Sequence, residues 1–373
     1  MEQEGGKEKM NEIEKPTSWK LQKDEIALMA RELVLVTMPH KDPGNVPVWS
    51  RQNGNVSLII QPGYRKDPEN DKKLISVGYP YGSIARLILY WIVTETRRTG
   101  QQRLELGQSL AEFMSRLGLK PDDSTGKRSS ANSVHRQMER MIYAHIHLSK
   151  ELEEGSRRGR LDLSLPVAKA ACLWWDEKDT EREALWGSYL VLNDDFYKAI
   201  LTSPVPVRMM TLLALRKSPL GLDLYAWATH EAYKAQAKRQ GRFVAWKLLH
   251  EQFGTEVGRL DNFVAKAKRE LQKITCNCPG IKLSFTRGGV QIHAGSLPDV
   301  SPKAEREALK PPPLALPASN KVPSGEAIAQ AVTMNSKEGA IALAIKFQGM
   351  VKQGRAENSD KAYISFVKQH AGE

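Results

Sequence analysis

Asn262, Lys266, Arg269 and Lys273 follow one another at intervals of four, three and four residues. On a helix over 259–274 they fall, with Arg259, on one side, while Leu260, Phe263, Val264, Ala267, Leu271 and Ile274 take the other. A row of guanidinium, ammonium and carboxamide groups binds phosphate oxygens and base edges, and the apolar side anchors the helix to its domain. A solvated amphipathic helix in a basic protein shows the same split. A second helix, over 130–143, repeats the pattern. Val134, Met138, Met141 and Ile142 make its buried side, with Asn132, Ser133, Arg136 and Arg140 roughly opposite. Lys127 and Arg128 precede it, suited to a phosphate. Arg157, Arg158 and Arg160 lie in a charged hairpin tip (151–160) that could reach a backbone or a minor groove, or simply be solvated. Arg287 heads Gly288-Gly289 in a second tip. Arg97 and Arg98 end an apolar helix over 83–96 and are placed to touch phosphate.

Charge agrees with these rows. The 373 residues carry a formal net charge of +12. Residues 1–15 hold three Lys against five Glu, and 296–373 hold ten Lys and Arg against eight acids, so the excess stays in the middle, 16–295. A basic folded body suits a nucleic acid or another anionic surface. The three cysteines imply no disulfide framework. The charged start has no leader-like apolar core, and the longest apolar run, 87–93, is far shorter than the ~20 residues of a membrane span, so a cytoplasmic protein is expected.

Catalytic signatures are missing. There is no Gly-x-x-x-x-Gly-Lys-Ser/Thr loop, no Gly-x-Ser-x-Gly and no His-Glu-x-x-His, so neither an ATPase nor another enzyme is expected, nor a cofactor. Cys276 and Cys278 have the wrong spacing for a zinc knuckle and read as buried thiols beside a strand. His145 and His147 alternate on a strand and could meet one ion, but a structural role fits better; no metal is expected. Asp194-Asp195 sit where a helix start wants acidic caps. Trp174, Trp175 and Trp186 belong to the core or line a join between units.

The elements that must position the basic rows recur in order. After an expected helix over 20–35, 56–60 and 74–77 look like strands that pair, leading into Tyr79-Pro80-Tyr81-Gly82 and the helix 83–96. Ser109 and Glu112 have capping-box spacing ahead of a short helix to 117; the helix 130–143 follows, then a hairpin. Downstream come a strand at 188–192, helices over 207–215, 222–238 and 244–253, the helix 259–274, and a hairpin of 281–285 with 290–293. Short helix, turn, longer helix and hairpin make the layout of a winged helix-turn-helix. The expected architecture is α+β, mainly helical: two tandem winged-helix domains, 48–180 and 181–297. A partly disordered N-terminal extension (1–47), a Pro-rich linker (298–324) and a small C-terminal helical segment (325–373) flank them. Within that segment, 336–351 and 359–369 read as helices.

Several stretches together resemble the plasmid-encoded RepA family of replication initiators. They are Arg51-Gln52-Asn53-Gly54; Gly78-Tyr79-Pro80-Tyr81-Gly82-Ser83 with Ala85-Arg86-Leu87; Thr94-Glu95 with Arg97; Leu106-Gly107-Gln108-Ser109-Leu110 with Phe113-Met114 and Leu117-Gly118; and Arg136-Gln137-Met138 with Arg140. Ser203-Pro204-Val205-Pro206, Leu222-Asp223-Leu224-Tyr225 with Trp227, and Trp246 with Leu249 and Gln252-Phe253-Gly254 continue it, to cover roughly 48–298. Ala85 stands where the family has proline. The resemblance implies an initiator that grips repeated double-stranded sites (iterons) at its plasmid's origin with two winged-helix domains. It also implies duplex opening, recruitment of the host initiator and replicative helicase, and a switch between a DNA-binding monomer and a repressing homodimer. The alternative is a dimeric transcriptional repressor controlling plasmid copy number.

Overall fold

The run Ile26-Ala27-Leu28-Met29-Ala30 has no polar side to offer water, so it must be covered on both faces. The computed structural model of the chain describes residues 26–67, 70–107, 109–119, 130–154, 157–173, 188–202, 204–254, 256–297, 300, 308, 347 and 360–370. Two units divide it, Met1–Pro312 and Pro313–Glu373. Unit 1 opens with β1 (Ile26–Met29), α1 (Arg31–Leu35), β2 (Trp49–Asn53), β3 (Val56–Gln61), β4 (Gly63–Asp67) and β5 (Asn70–Gly78). Next come α2 (Gly82–Thr99), β6 (Arg103–Glu105), α3 (Leu110–Arg116), α4 (Ser130–Tyr143), β7 (His145–Glu154), β8 (Arg157–Ser164) and β9 (Ala168–Cys172). The second half runs β10 (Tyr189–Leu192), α5 (Asp194–Thr202), β11 (Val205–Arg208), α6 (Met209–Ala214), α7 (Pro219–Lys238) and β12 (Arg242–Ala245), then α8 (Trp246–Phe253), α9 (Leu260–Asn277), β13 (Leu283–Phe285) and β14 (Gly289–Ile292).

The fold is mixed α/β with helix the larger share, and two short buried runs expected as helix are strands. β1 stands where a helix over 20–35 was expected. It pairs antiparallel with β11, Ile26 opposite Arg208 and Met29 opposite Val205, and Ala27, Leu28 and Met29 are buried. β11 in turn takes the start of the helix expected over 207–215. The strand expectation at 56–60 holds, but its partner differs. β3 pairs with β2 across a tight turn, with Asn53 opposite Val56, and with β7 on its other side; β5 pairs with β4 instead. The four-stranded order is β2-β3-β7-β8, and β4-β5 stands as a separate ribbon. Of the charged segment 151–160, residues 151–154 and 157–160 are paired strand, out to Glu154 opposite Arg157, and 155–156 lie outside the described residues.

Helix ends follow their local chemistry. Ser109 Oγ accepts the Glu112 N–H at 3.1 Å, and Ser218 Oγ accepts that of Gly221 at 3.0 Å with Pro219 opening α7. Asn193 Oδ1 accepts the Asp195 N–H at 3.0 Å, so Asp194 and Asp195 fall in the first turn of α5. Every residue of α2 from Ala85 to Val93 is buried, and Trp91 meets Phe113 edge-on at 5.0 Å. Trp227 meets Phe253 at 6.3 Å where α7 and α8 pack. Cys278 is buried with its Sγ 3.4 Å from Thr211 Oγ1, whereas Cys276 is exposed in the last turn of α9, which runs past the expected end at 274.

In the second unit, α10 (Asp360–His370) matches the helix expected over 359–369, and Phe347 packs on Tyr363 and Phe366 at 5.5 Å each. Residues 1–15, Trp174, Trp175, Trp186, nearly all of 298–324 and all of 336–351 but Phe347 lie outside the described residues. No helix among the described residues is long and apolar enough to cross a membrane.

Candidate nucleic-acid interface

α9 presents its row as its spacing dictates. Phe263, Ala267, Leu271 and Ile274 are buried, and Asn262, Lys266, Arg269 and Lys273 are exposed. From Asn262 to Lys273 the row rises about 16 Å, enough to cross a major groove of about 12 Å. Lys266 and Arg269 have no ion-pair partner among the described residues. Lys273 Nζ sits 2.9 Å from Glu270 Oε1, and Arg259, at the helix start, pairs with Asp261 at 2.6 Å. Leu260, expected on the buried side, is 41% exposed because it precedes the packed turn. α9 is held from behind by α7 and α8. His250 meets Phe263 at 5.2 Å, and its ring nitrogen Nε2 lies 2.7 Å from the Val257 carbonyl oxygen. Beside it, Trp246 donates to the Thr286 carbonyl at 3.1 Å, stacks on Phe285, and has the Lys268 ammonium 5.6 Å over its ring. Arg287 is exposed at the turn between β13 and β14.

α4 is more enclosed. Ala131, Val134, Gln137, Met138 and Met141 are buried. Only Arg136 of its expected row is exposed, reaching the Asn132 carbonyl at 3.3 Å and Ser133 Oγ at 3.4 Å. Arg140 is turned into the fold. It donates to the carbonyls of Val77 at 3.1 Å and Tyr79 at 3.3 Å, pairs with Asp42 at 3.1 Å, and lies 5.1 Å over the Tyr81 ring. Gly78, at φ +86°, passes under that guanidinium, where a Cβ would stand about 3.0 Å from Nη2. Gln137 completes the fastening by accepting the Tyr81 N–H at 2.9 Å. Arg97 is likewise taken up, donating to the Leu201 carbonyl at 2.8 Å, with burial lowering its pKa. Arg98 is exposed but paired with Glu95 at 2.6 Å. Arg157, Arg158 and Arg160 are exposed on β8, with Arg160 Nε 2.7 Å from Asp162. Lys127 and Arg128 lie outside the described residues.

The charged cluster that sequence reasoning did not assemble is buried. Arg86 of α2 forks onto Asp223 of α7, Nε to Oδ1 and Nη2 to Oδ2 both at 2.8 Å, and its remaining protons go to the carbonyls of Met38, Pro39 and Gly82. His40 Nε2 completes Asp223 at 2.7 Å. Close by, Arg51 of β2 donates to Thr37 Oγ1 at 2.7 Å and to the Thr37 and Met38 carbonyls, and meets Glu256 at 2.9 Å; Glu256 also accepts the N–H groups of His40 and Lys41. Burial opposes the charge of Asp223, but Arg86 and the His40 hydrogen bond overcome it and hold the carboxyl well below its usual range. Burial pulls Arg51 down to about 10, against the Glu256 charge, and lowers His40 despite its bond to Asp223. The signal available in the sequence was a charge inside each apolar helix, Arg86 within Ala85–Val93 and Asp223 within Leu222–Tyr225. No three His, Cys, Asp or Glu side chains converge as a metal site among the described residues, and His145 and His147 are exposed on β7.

The motifs thus meet in space. Gly78–Ser83 is fastened by Gln137 and Arg140, and Arg86 by Asp223. Solved structures of RctB domains 2 and 3, one a selenomethionine derivative, align at 12% and 13% identity with TM-scores of 0.41 and 0.37. They cover 68% and 69% of this chain and 93% of each of theirs. No curated protein sequence matches the chain. Residues 79–248 match the family described as plasmid encoded RepA protein, and over that span the chain is similar to it.

Proposed function

We propose that this chain is a plasmid replication initiator that binds repeated duplex sites at its origin. The observation that carries the reading is the outer row of α9, where Lys266 and Arg269 stand exposed, with no ion-pair partner among the described residues, beside Asn262 and Lys273. Cations left in water at groove spacing bind phosphate, and a carboxamide at the start of their row reads base edges. The order α7, β12, α8, α9, β13, β14, with β14 between β12 and β13, supports a winged helix-turn-helix there. In the first half α3, α4, β7 and β8 keep that order, but β6 pairs with β10 and the hairpin joins β3, so that half is a departure from the same plan. In this reading the first half contributes Arg136 and the β8 arginines, and Arg97 and Arg140 serve the fold. The buried Arg86–Asp223 fork sets the spacing between the two DNA-facing helices, as tandem half-sites require. Duplex opening and recruitment of the host initiator and helicase follow binding. Footprinting the full chain on its own plasmid's origin tests the reading: evenly spaced protection over repeats is expected, and an unprotected origin would overturn it.

A further inference from the structure

Among the described residues the ribbon β4–β5 pairs with no other strand, and its two faces differ. On the inner face Arg65 reaches α4, with Nε 3.2 Å from Glu139 Oε1, and Gly63 lies so close to Tyr143 that a side chain there would overlap it. Ile75 and Val77 on that face are half-buried. The register puts Tyr64 opposite Ser76 and Lys66 opposite Leu74, so these four share the outer face. All four are exposed, and so is Lys72, two residues before Leu74. Leu74 at 65% and Tyr64 at 57% are the most exposed large hydrophobics among the described residues. The ion pairs of the ribbon involve Arg65 and Lys73, whereas Lys66 and Lys72 have no ion-pair partner among the described residues.

We infer that this outer face is a second DNA-binding surface, which takes the phosphate backbone and deoxyribose of the duplex flanking the site held by α4. The ribbon covers the C-terminal half of α4 at Glu139 and Tyr143, and leaves Arg136 in the N-terminal half exposed. A duplex lying against that open half continues past the ribbon. Two ammonium groups with no ion-pair partner among the described residues match its phosphates, and a tyrosine ring with a leucine packs on sugar. One ring gives no succession of stacking platforms, which favours duplex over single strand. The inference rests on α4 and α9 facing a duplex.

The test uses the full chain and a site selected by it from a random duplex pool. That site is presented as a minimal duplex and as one extended by about one helical turn on each side. Wild type is expected to bind the extended duplex several-fold tighter. The triple variant Tyr64→Ala, Lys66→Ala, Lys72→Ala, checked for an unchanged melting temperature, loses that increment. Its salt slope also falls by about 2 on the extended duplex only. A variant that keeps the increment, or loses equally on both lengths, overturns the flank assignment while the function above stands. Loss of poly-glutamate binding with DNA binding unchanged would point to an acidic protein and also overturns it. Wild type that selects and binds no duplex removes the underlying function instead.

Discussion

The guanidinium of Arg86 and the carboxylate of Asp223, 137 residues apart in the chain, close a two-point fork with both distances at 2.8 Å. Both side chains are almost wholly out of water, at 2% and 8% exposure. A charge held this way needs its partner, because each alone would be a buried, uncompensated ion.

Arg86→Met is therefore expected to lower unit 1 stability by about 3–5 kcal/mol in urea unfolding. The double variant Arg86→Met, Asp223→Leu should lose clearly less than the sum of the single losses, because it removes both charges together. Additive losses would show that the fork is not a coupled pair.

Acid should loosen the fold before the carboxylates titrate. Burial pushes His135 down to about 4, helped by Arg65 and Arg136, and burial with Lys234 does the same for His230. A lowered folded pKa means that the unfolded chain binds more protons from about 6.5 down to about 4, so stability falls as pH drops through that window. Below the unfolded carboxylate range of about 3.9, the depressed Asp223 adds a further loss. The urea midpoint should be lower at pH 5 than at pH 7.5, and His135→Gln or His230→Gln should each narrow the gap. Equal midpoints in the wild type would contradict this.

The β13–β14 turn separates two adjacent glycines. A Cβ on Gly289 would overlap the Val244 carbonyl oxygen, a backbone atom fixed by the β12–β14 pairing, whereas one on Gly288 meets Phe243 at 3.5 Å and Thr286 Oγ1 at 4.0 Å, both ordinary contacts. Gly289→Ala is expected to cost about 1–3 kcal/mol and Gly288→Ala less than about 0.5, read from urea midpoints. A reversed order would mean that the turn is not packed this way.

The amphipathic helices α3, α4 and α9 were legible because each writes its buried side as a stripe with helical period, and α3 also shows its cap. The strands β1 and β11 were not, since a run of four or five residues buried on both faces carries no period. Arg97 and Arg140 looked like free cations because each donates to backbone carbonyls, at Leu201, Val77 and Tyr79, which any residue type supplies, and because Asp42, which pairs with Arg140, lies 98 residues away in the chain. The ribbon over α4 was hidden by a wrong strand pairing. Arg51, Arg86 and Asp223 were noticed only as parts of family-like stretches, and only the fold brings them to one loop, 37–41.

The most direct test of α9 as the helix that meets duplex DNA is a salt titration. Anisotropy with a labelled origin duplex should give the slope of log K against log salt for wild type and for Lys266→Ala, Arg269→Ala. Each lost phosphate contact reduces that slope by about 0.9. The double variant, with an unchanged melting temperature, is expected to bind at least tenfold more weakly with a slope shallower by nearly 2. Affinity and slope equal to wild type would contradict the assignment.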